Sequence, residues 1–108
     1  MSLPLRDAQH LCWKNFRKIN DKLDPERGKN WTPFVMVTHL LEEAGEVAAV
    51  VEGLEGFKPP DKPKTKEMLG TELSDLLYMI FVLAEHYDIE LEETFLQTVN
   101  DYVLRFIK

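Results

Sequence analysis

Apolar side chains recur at every third or fourth position along almost the whole chain, and no stretch alternates apolar with polar residues as a half-buried strand would. This spacing places the apolar side chains on one face of a helix, and such a face is buried most simply against other helices. The sequence therefore predicts an all-α protein. Its 108 residues suit a single domain that spans the chain from 1 to 108.

Turn and capping residues divide the chain into helices. Thr32 is a good N-cap, and Pro33 suits the first helical position that follows it. The predicted helices cover residues 4–23, 32–52, 65–86 and 91–106. Because short connections favour antiparallel neighbours, the predicted fold is like a four-helix bundle.

Two of the predicted helices carry a clear apolar stripe. The stripe of the first helix consists of Leu5, Ala8, Leu11, Cys12, Phe16 and Ile19. The stripe of the third helix consists of Leu69, Leu73, Leu76, Leu77, Ile80 and Leu83. Residues 78–83 are apolar around most of the helix circumference. A monomer of four short helices cannot easily bury all of that apolar surface. We therefore expect a homodimer or a homotetramer of bundles, and a two-fold dimer is the simplest choice.

The formal net charge is -6, and the acids concentrate between residues 42 and 93. This excess argues against nucleic acid or an anionic membrane as a partner, because both need a basic surface. The lone Cys12 excludes an intrachain disulfide and suits a reducing compartment. The longest mostly apolar run, 76–84, falls short of the roughly 20 residues of a bilayer span. We expect a cytoplasmic protein.

Carboxylates are paired on two of the predicted helices. Glu43 and Glu46 lie three residues apart on the second helix, and Glu72 and Asp75 lie three residues apart on the third. This spacing puts both members of a pair on one helix face, about one turn apart. The flanking positions are apolar, so part of each pair lies near the buried seam. If the two helices pack together, the four acids converge.

No base on either helix compensates these acids. Lysine and arginine are absent from residues 34–56 and again from residues 67–102. Burying unpaired carboxylates costs several kcal/mol each, so a hard divalent cation is the natural compensator. Ligation by oxygen alone predicts Mg²⁺, with Mn²⁺ as the alternative. The competing interpretation is two solvated helix faces whose acids keep the protein soluble.

The combined acidic pattern points to a known family. The chain reads Glu42-Glu43-x-x-Glu46, then 25 intervening residues, then Glu72-x-x-Asp75. Over about residues 31–106 it resembles the MazG-type, all-α nucleotide pyrophosphohydrolases. The resemblance implies a Mg²⁺-dependent enzyme that cleaves a nucleoside triphosphate between its α and β phosphorus atoms, giving the monophosphate and pyrophosphate. By motif position, it implies that Glu43, Glu46, Glu72 and Asp75 are the metal ligands.

Glu42 and Glu43 are the candidate catalytic residues. On an ideal helix Glu42 points about 100° away from Glu43. It would hold a second metal, act as a base towards the attacking water, or face solvent. We rank it below the four ligands.

Two positions depart from the family pattern and bear on substrate binding. His39 stands where such proteins often have lysine, and it shares a face with Glu43. It would contact phosphate or metal, or hydrogen-bond to a neighbouring acid. Asn100 is followed by Asp101 where lysine is usual, and Arg105 remains as a cation in the last helix.

The first helix supplies the remaining candidate substrate contacts, which are Trp13, Lys14 and Arg17. Trp13 and Trp31 would stack on a base or pack in the core. The resemblance implies that a neighbouring subunit completes the active site, so that Asn100, Arg105 or the bases of the first helix act in trans.

Other functions remain open at this point. A phosphoribosyl-ATP pyrophosphohydrolase would have a histidine after Tyr78, where Met79 stands. A di-iron bundle needs Glu-x-x-His pairs, and the sequence has none. A non-catalytic module of the same fold that binds nucleotide or metal is the third alternative.

Overall fold

The computed structural model describes residues 2–23, 31–57 and 63–107. Within these ranges the chain forms α1 (Leu5–Leu23), α2 (Pro33–Leu54), α3 (Lys66–His86) and α4 (Leu91–Phe106), and no strand. The all-α prediction is confirmed, while residues 24–30 and 58–62 of the predicted connections 20–30 and 56–64 lie outside the described residues. None of these four helices is long and apolar enough to cross a membrane.

Threonine side chains cap the two central helices. The Thr32 hydroxyl accepts a hydrogen bond from the backbone N–H of Val35 at 3.3 Å, and Thr65 accepts one from Met68 at 3.2 Å. Each cap satisfies one of the backbone donors that a helix start leaves unpaired. This is why both starts were predictable from the sequence.

The end of α2 lies two residues beyond its predicted end at Glu52. Gly53 stays helical, and a side chain there would collide with Lys64 of the incoming connection. The chain turns instead at Gly56, whose φ of 71° is in the left-handed region that glycine adopts without strain.

Helices α2 and α3 share the most extensive contact in the described part of the chain. Helix α1 packs on α3, and α4 packs on α1. Phe16, Met36, Met79 and Val82 form the buried core where the first three helices meet. The adjacency of α2 and α3 on which the carboxylate argument depends is therefore confirmed.

Several members of the predicted apolar stripes of α1 and α3 are exposed in the single chain. The exposed members are Leu11, Ile19, Leu73, Leu77 and Ile80. On α3 the core side chains are instead Met79 and Val82, at 4% and 0% exposure. Because this part of α3 is apolar around most of its circumference, periodicity alone does not select the buried face. Packing of α1 and α2 selects it.

A buried glutamine ties α1 to the turn between α3 and α4. Gln9 is 2% exposed, and its Nε2 donates to the Ile89 carbonyl at 2.7 Å. Its Oε1 accepts from the Leu91 N–H at 3.1 Å. Glu90, the N-cap of α4, makes no capping hydrogen bond with its own side chain and pairs instead with Arg6. Gln9 therefore caps α4 from another helix.

We predict that Gln9→Ala destabilises the protein by about 2 to 4 kcal/mol, because it removes both hydrogen bonds and leaves a small cavity. Urea unfolding followed by circular dichroism measures the change. Gln97→Ala, at an exposed position of α4, is the control and should cost less than about 0.5 kcal/mol. Equal effects of the two substitutions would show that Gln9 is not a cap.

Candidate metal centre

Packing of α2 on α3 brings the predicted carboxylates together. One oxygen each of Glu43, Glu46 and Glu72 lies within 4.8 Å of the others. Asp75 is exposed one turn further along α3 and lines a cavity together with Glu43. Three of the four predicted ligands thus form a cluster, which we call the carboxylate cluster, and the fourth lies beside it.

Two oxygens of the carboxylate cluster have no hydrogen-bond partner. They are Oε2 of Glu43 and Oε2 of Glu72, and both are buried. The Glu43 side chain is only 13% exposed. Buried polar oxygens are normally paired, so these two call for a donor or a cation. Three hard oxygen donors at this separation fit a Mg²⁺ or Mn²⁺ ion.

The same environment raises the pKa of two carboxyl groups above the ordinary value of 4.5. For Glu43 the main cause is burial, followed by the negative charges of Glu46 and Asp75; His39 acts in the opposite direction. For Glu72 the main cause of the raised pKa is the hydrogen bond that its protonated carboxyl can share with Glu46, followed by burial and the neighbouring acids. Without a cation, the cluster therefore resists full ionisation.

His39 lies between two acids and an indole. Its Nε2 is 3.4 Å from Oε1 of Glu43, and its Nδ1 is 3.5 Å from Oε2 of Glu42. The ring meets Trp31 edge-on, with centroids 5.5 Å apart. Glu42 itself is exposed and lines an outer groove instead of the cavity next to Glu43.

A cavity of about 300 Å³ opens beside Glu43 and Asp75. We call it the aromatic cavity, and its other walls are Phe16, Ile19, Trp31, His39, Tyr78 and Met79. The Tyr78 hydroxyl donates a 2.7 Å hydrogen bond to Oδ1 of Asn15. Sequence reasoning missed Asn15, Tyr78 and Met79 here, because nothing in a helical pattern indicates which side chains of a distant helix they meet.

The other five predicted substrate contacts lie elsewhere. Trp13 and Arg17 line a second cavity, of about 320 Å³, on the α1 side of the core. Lys14 is exposed on α1, and Asn100 and Arg105 are exposed on α4. Within one chain, the structure thus brings His39 to the carboxylates and leaves these five outside the aromatic cavity.

The sequence from residue 32 to residue 105 matches the MazG nucleotide pyrophosphohydrolase domain. The chain belongs to this family. The match spans α2 to α4 of the MazG fold and contains all four paired carboxylates. Helix α1 lies outside it, although Phe16 and Asn15 of α1 support the aromatic cavity.

Two relatives of this MazG chain come from Bacillus subtilis (strain 168). The uncharacterized protein YpjD is 35% identical over 63 residues, which are 58% of this chain and 57% of YpjD. The chain thus spans a little more than half the length of YpjD. The uncharacterized protein YvdC is 36% identical over 74 residues, which are 60% of this chain and 70% of YvdC. No solved structure matches the chain significantly.

We predict that the double substitution Glu43→Gln/Glu72→Gln raises the melting temperature of the metal-free MazG protein at about pH 7 and leaves it unchanged at about pH 4. A raised folded-state pKa favours folding while the carboxyl is protonated, and this contribution is lost as pH rises through the folded pKa. Glutamine mimics the protonated form and removes the loss. Thermal unfolding in EDTA across this pH range measures the difference.

The matched control is Glu67→Gln/Glu93→Gln, at two exposed positions in first turns of helices. Its melting temperature should lie at or slightly below that of the wild type at neutral pH, because a negative charge in the first turn of a helix is favourable. A cluster variant that is no more stable than the wild type at neutral pH would contradict the unfavourable ionisation of the carboxylate cluster.

Proposed function

We propose that this protein is a Mg²⁺-dependent nucleoside triphosphate pyrophosphohydrolase, with Mn²⁺ as the alternative cation, and that residues 1–108 act as one catalytic domain. The observation that supports it most is the carboxylate cluster itself: three oxygens within 4.8 Å and two buried oxygens without a partner. Membership of the nucleotide pyrophosphohydrolase family supports a nucleotide substrate.

Glu43, Glu46, Glu72 and Asp75 would hold the cation. Bound Mg²⁺ would neutralise the phosphate chain and lower the pKa of a water molecule. The water oxygen bonds to the α-phosphorus, the bond from that phosphorus to the bridging oxygen breaks, and pyrophosphate leaves with the electron pair. The water proton passes to a carboxylate. That carboxylate lies on the cavity side of the site, which Glu43 and Asp75 line, whereas Glu42 faces the outer groove.

The aromatic cavity is where we place the nucleoside part of the substrate. Trp31 and Phe16 pack edge to face, with centroids 5.0 Å apart, and both line the aromatic cavity beside the carboxylates. Stacking on aromatic side chains contributes about 1 to 3 kcal/mol per base. A partly apolar pocket with a few charged groups at one end is the usual form of a small-molecule site.

We predict that the purified protein releases pyrophosphate and nucleoside monophosphate from nucleoside triphosphates when Mg²⁺ is present. Glu43→Gln should lower kcat/KM more than about 100-fold, because it removes a charged ligand of the cation. Coupled pyrophosphate detection and chromatography of the nucleotide products give the rate and the cleavage position.

Glu93→Gln serves as the matched control for this assay and should keep the wild-type rate, because Glu93 is exposed on α4. Release of orthophosphate with a nucleoside diphosphate would contradict cleavage between the α and β positions. Mg²⁺ binding without any hydrolysis would favour the non-catalytic binding module.

We also propose that two copies of the chain associate through an apolar surface formed by α3 and α4. Helix α4 has no buried residue, although its apolar side chains are regularly spaced. Its exposed members include Leu73, Leu77, Phe95, Leu96 and Val99. A groove of about 410 Å³ runs between Leu77 and Phe95. Large exposed apolar patches mark association surfaces, and a second copy would also bring Asn100 and Arg105 towards a neighbouring site.

We predict a mass of at least twice the 12.6 kDa of one chain in sedimentation equilibrium at about 100 µM protein. Phe95→Asp should raise the dissociation constant at least about tenfold, since it puts a charge on a side chain that is 60% exposed in the single chain. Gln97→Asp, which adds the same charge two residues away, should leave the mass unchanged. A wild-type protein that sediments as a monomer would contradict the association.

A further inference from the structure

The His39 ring has three close neighbours, Glu42, Glu43 and Trp31. The two ring nitrogens face Glu42 and Glu43 at 3.5 Å and 3.4 Å, and the ring edge packs on Trp31. The side chain is 39% exposed and lines the aromatic cavity, so the ring lies at the mouth of that cavity. A histidine so engaged has little freedom to reach for a substrate phosphate.

The two oxygens of the Glu43 carboxylate have different surroundings. Oε1 of Glu43 faces His39, whereas Oε2 is buried and has no hydrogen-bond partner. The 3.4 Å approach of Nε2 to Oε1 restricts the rotation of the carboxylate and so limits where the other oxygen points. Partners of this kind orient metal ligands, and their removal costs about 10- to 100-fold in metal affinity.

His39 is the last ring in a row of three packed rings, Phe16, Trp31 and His39, which we call the aromatic row. Phe16 of the core meets Trp31 edge-on at 5.0 Å, and Trp31 meets His39 edge-on at 5.5 Å. Trp31 lies directly before Thr32, the N-cap of α2. The row therefore runs from the core through the wall of the aromatic cavity to the carboxylate cluster. A flexible lysine at position 39 would carry charge but would not present a rigid ring to the indole.

We propose that His39 is a positioning residue that orients Glu43, and that Trp31 sets the position of His39. In this role His39 contacts the metal-binding residue Glu43 and does not contact the substrate. It rests on the proposed function only in taking Glu43 as a ligand of Mg²⁺. Two measurements on the nucleotide-free protein test it.

The first measurement is the rise in melting temperature with added Mg²⁺, which reports binding to the native state without any turnover. His39→Leu should weaken apparent Mg²⁺ affinity about tenfold, whereas His39→Gln should stay within about threefold of wild type, because its amide nitrogen can lie beside Oε1 of Glu43 where Nε2 lies now. Thr38→Val, at the exposed neighbouring position, is the control and should bind as wild type does.

The second measurement is a double-mutant cycle on Mg²⁺ affinity. Trp31→Ala should weaken affinity by itself, and the pair Trp31→Ala/His39→Leu should be no weaker than His39→Leu alone, since both changes act through Glu43. Trp31→Phe should retain affinity because it keeps an aromatic edge. Independent, additive effects would overturn the link from Trp31 to His39.

Two further outcomes would overturn the positioning role. One is wild-type Mg²⁺ affinity in His39→Leu, and the other is a wild-type protein that binds neither Mg²⁺ nor Mn²⁺. The proposed hydrolase fails separately, if His39 variants change Mg²⁺ affinity as expected but no nucleoside triphosphate is cleaved. Cleavage by wild type together with unchanged affinity in His39→Leu would remove the positioning role alone.

Discussion

The main constraint on this structure is the packing of α2 on α3. The seam between these helices contains several acids and no lysine or arginine beside them. The apolar contacts of α2 with α3, at Met36 and Met79 among others, draw the helices together. Each such buried side chain contributes about 1.5 to 3 kcal/mol. That gain holds Glu43, Glu46 and Glu72 at a separation that their charges oppose. The site is therefore preorganised by packing elsewhere, and its own electrostatics disfavour it until a cation binds.

The first helix adds to this frame from outside the family match. Phe16 of α1 belongs to the core and to the wall of the aromatic cavity at the same time. Asn15, one residue earlier, accepts the hydrogen bond of Tyr78. The shape of the cavity next to the carboxylates thus depends on a segment that lies outside the residues matching the family. Differences in α1 would alter what fits the cavity while the carboxylates stay the same.

Local rules account for the parts of the fold and site that the sequence predicted. Thr32 and Thr65 cap helices through contacts within one turn, so both starts are visible in the sequence. The spacing of Glu43 with Glu46 likewise determines a shared face. Tertiary contacts decide the rest: Gln9 reads as an ordinary surface residue, yet it is buried because a distant turn needs both its donor and its acceptor. A helix that is apolar around most of its circumference, such as α3, does not indicate which of its faces is buried until the neighbouring helices are known.

The two hydrogen bonds of Gln9 join residues that are 80 and 82 positions apart in the chain. Closing so long a loop has a larger entropic cost than joining α2 to α3, whose connection is short. The hairpin of α2 and α3 is therefore expected to form early, and the capping of α4 by α1 to form late. Native-state hydrogen exchange would measure this order directly, as a hairpin that opens last and an α4 that opens first. Helix α4, which has no buried residue, is thus an outer addition that Gln9 ties to a bundle already containing the carboxylate cluster.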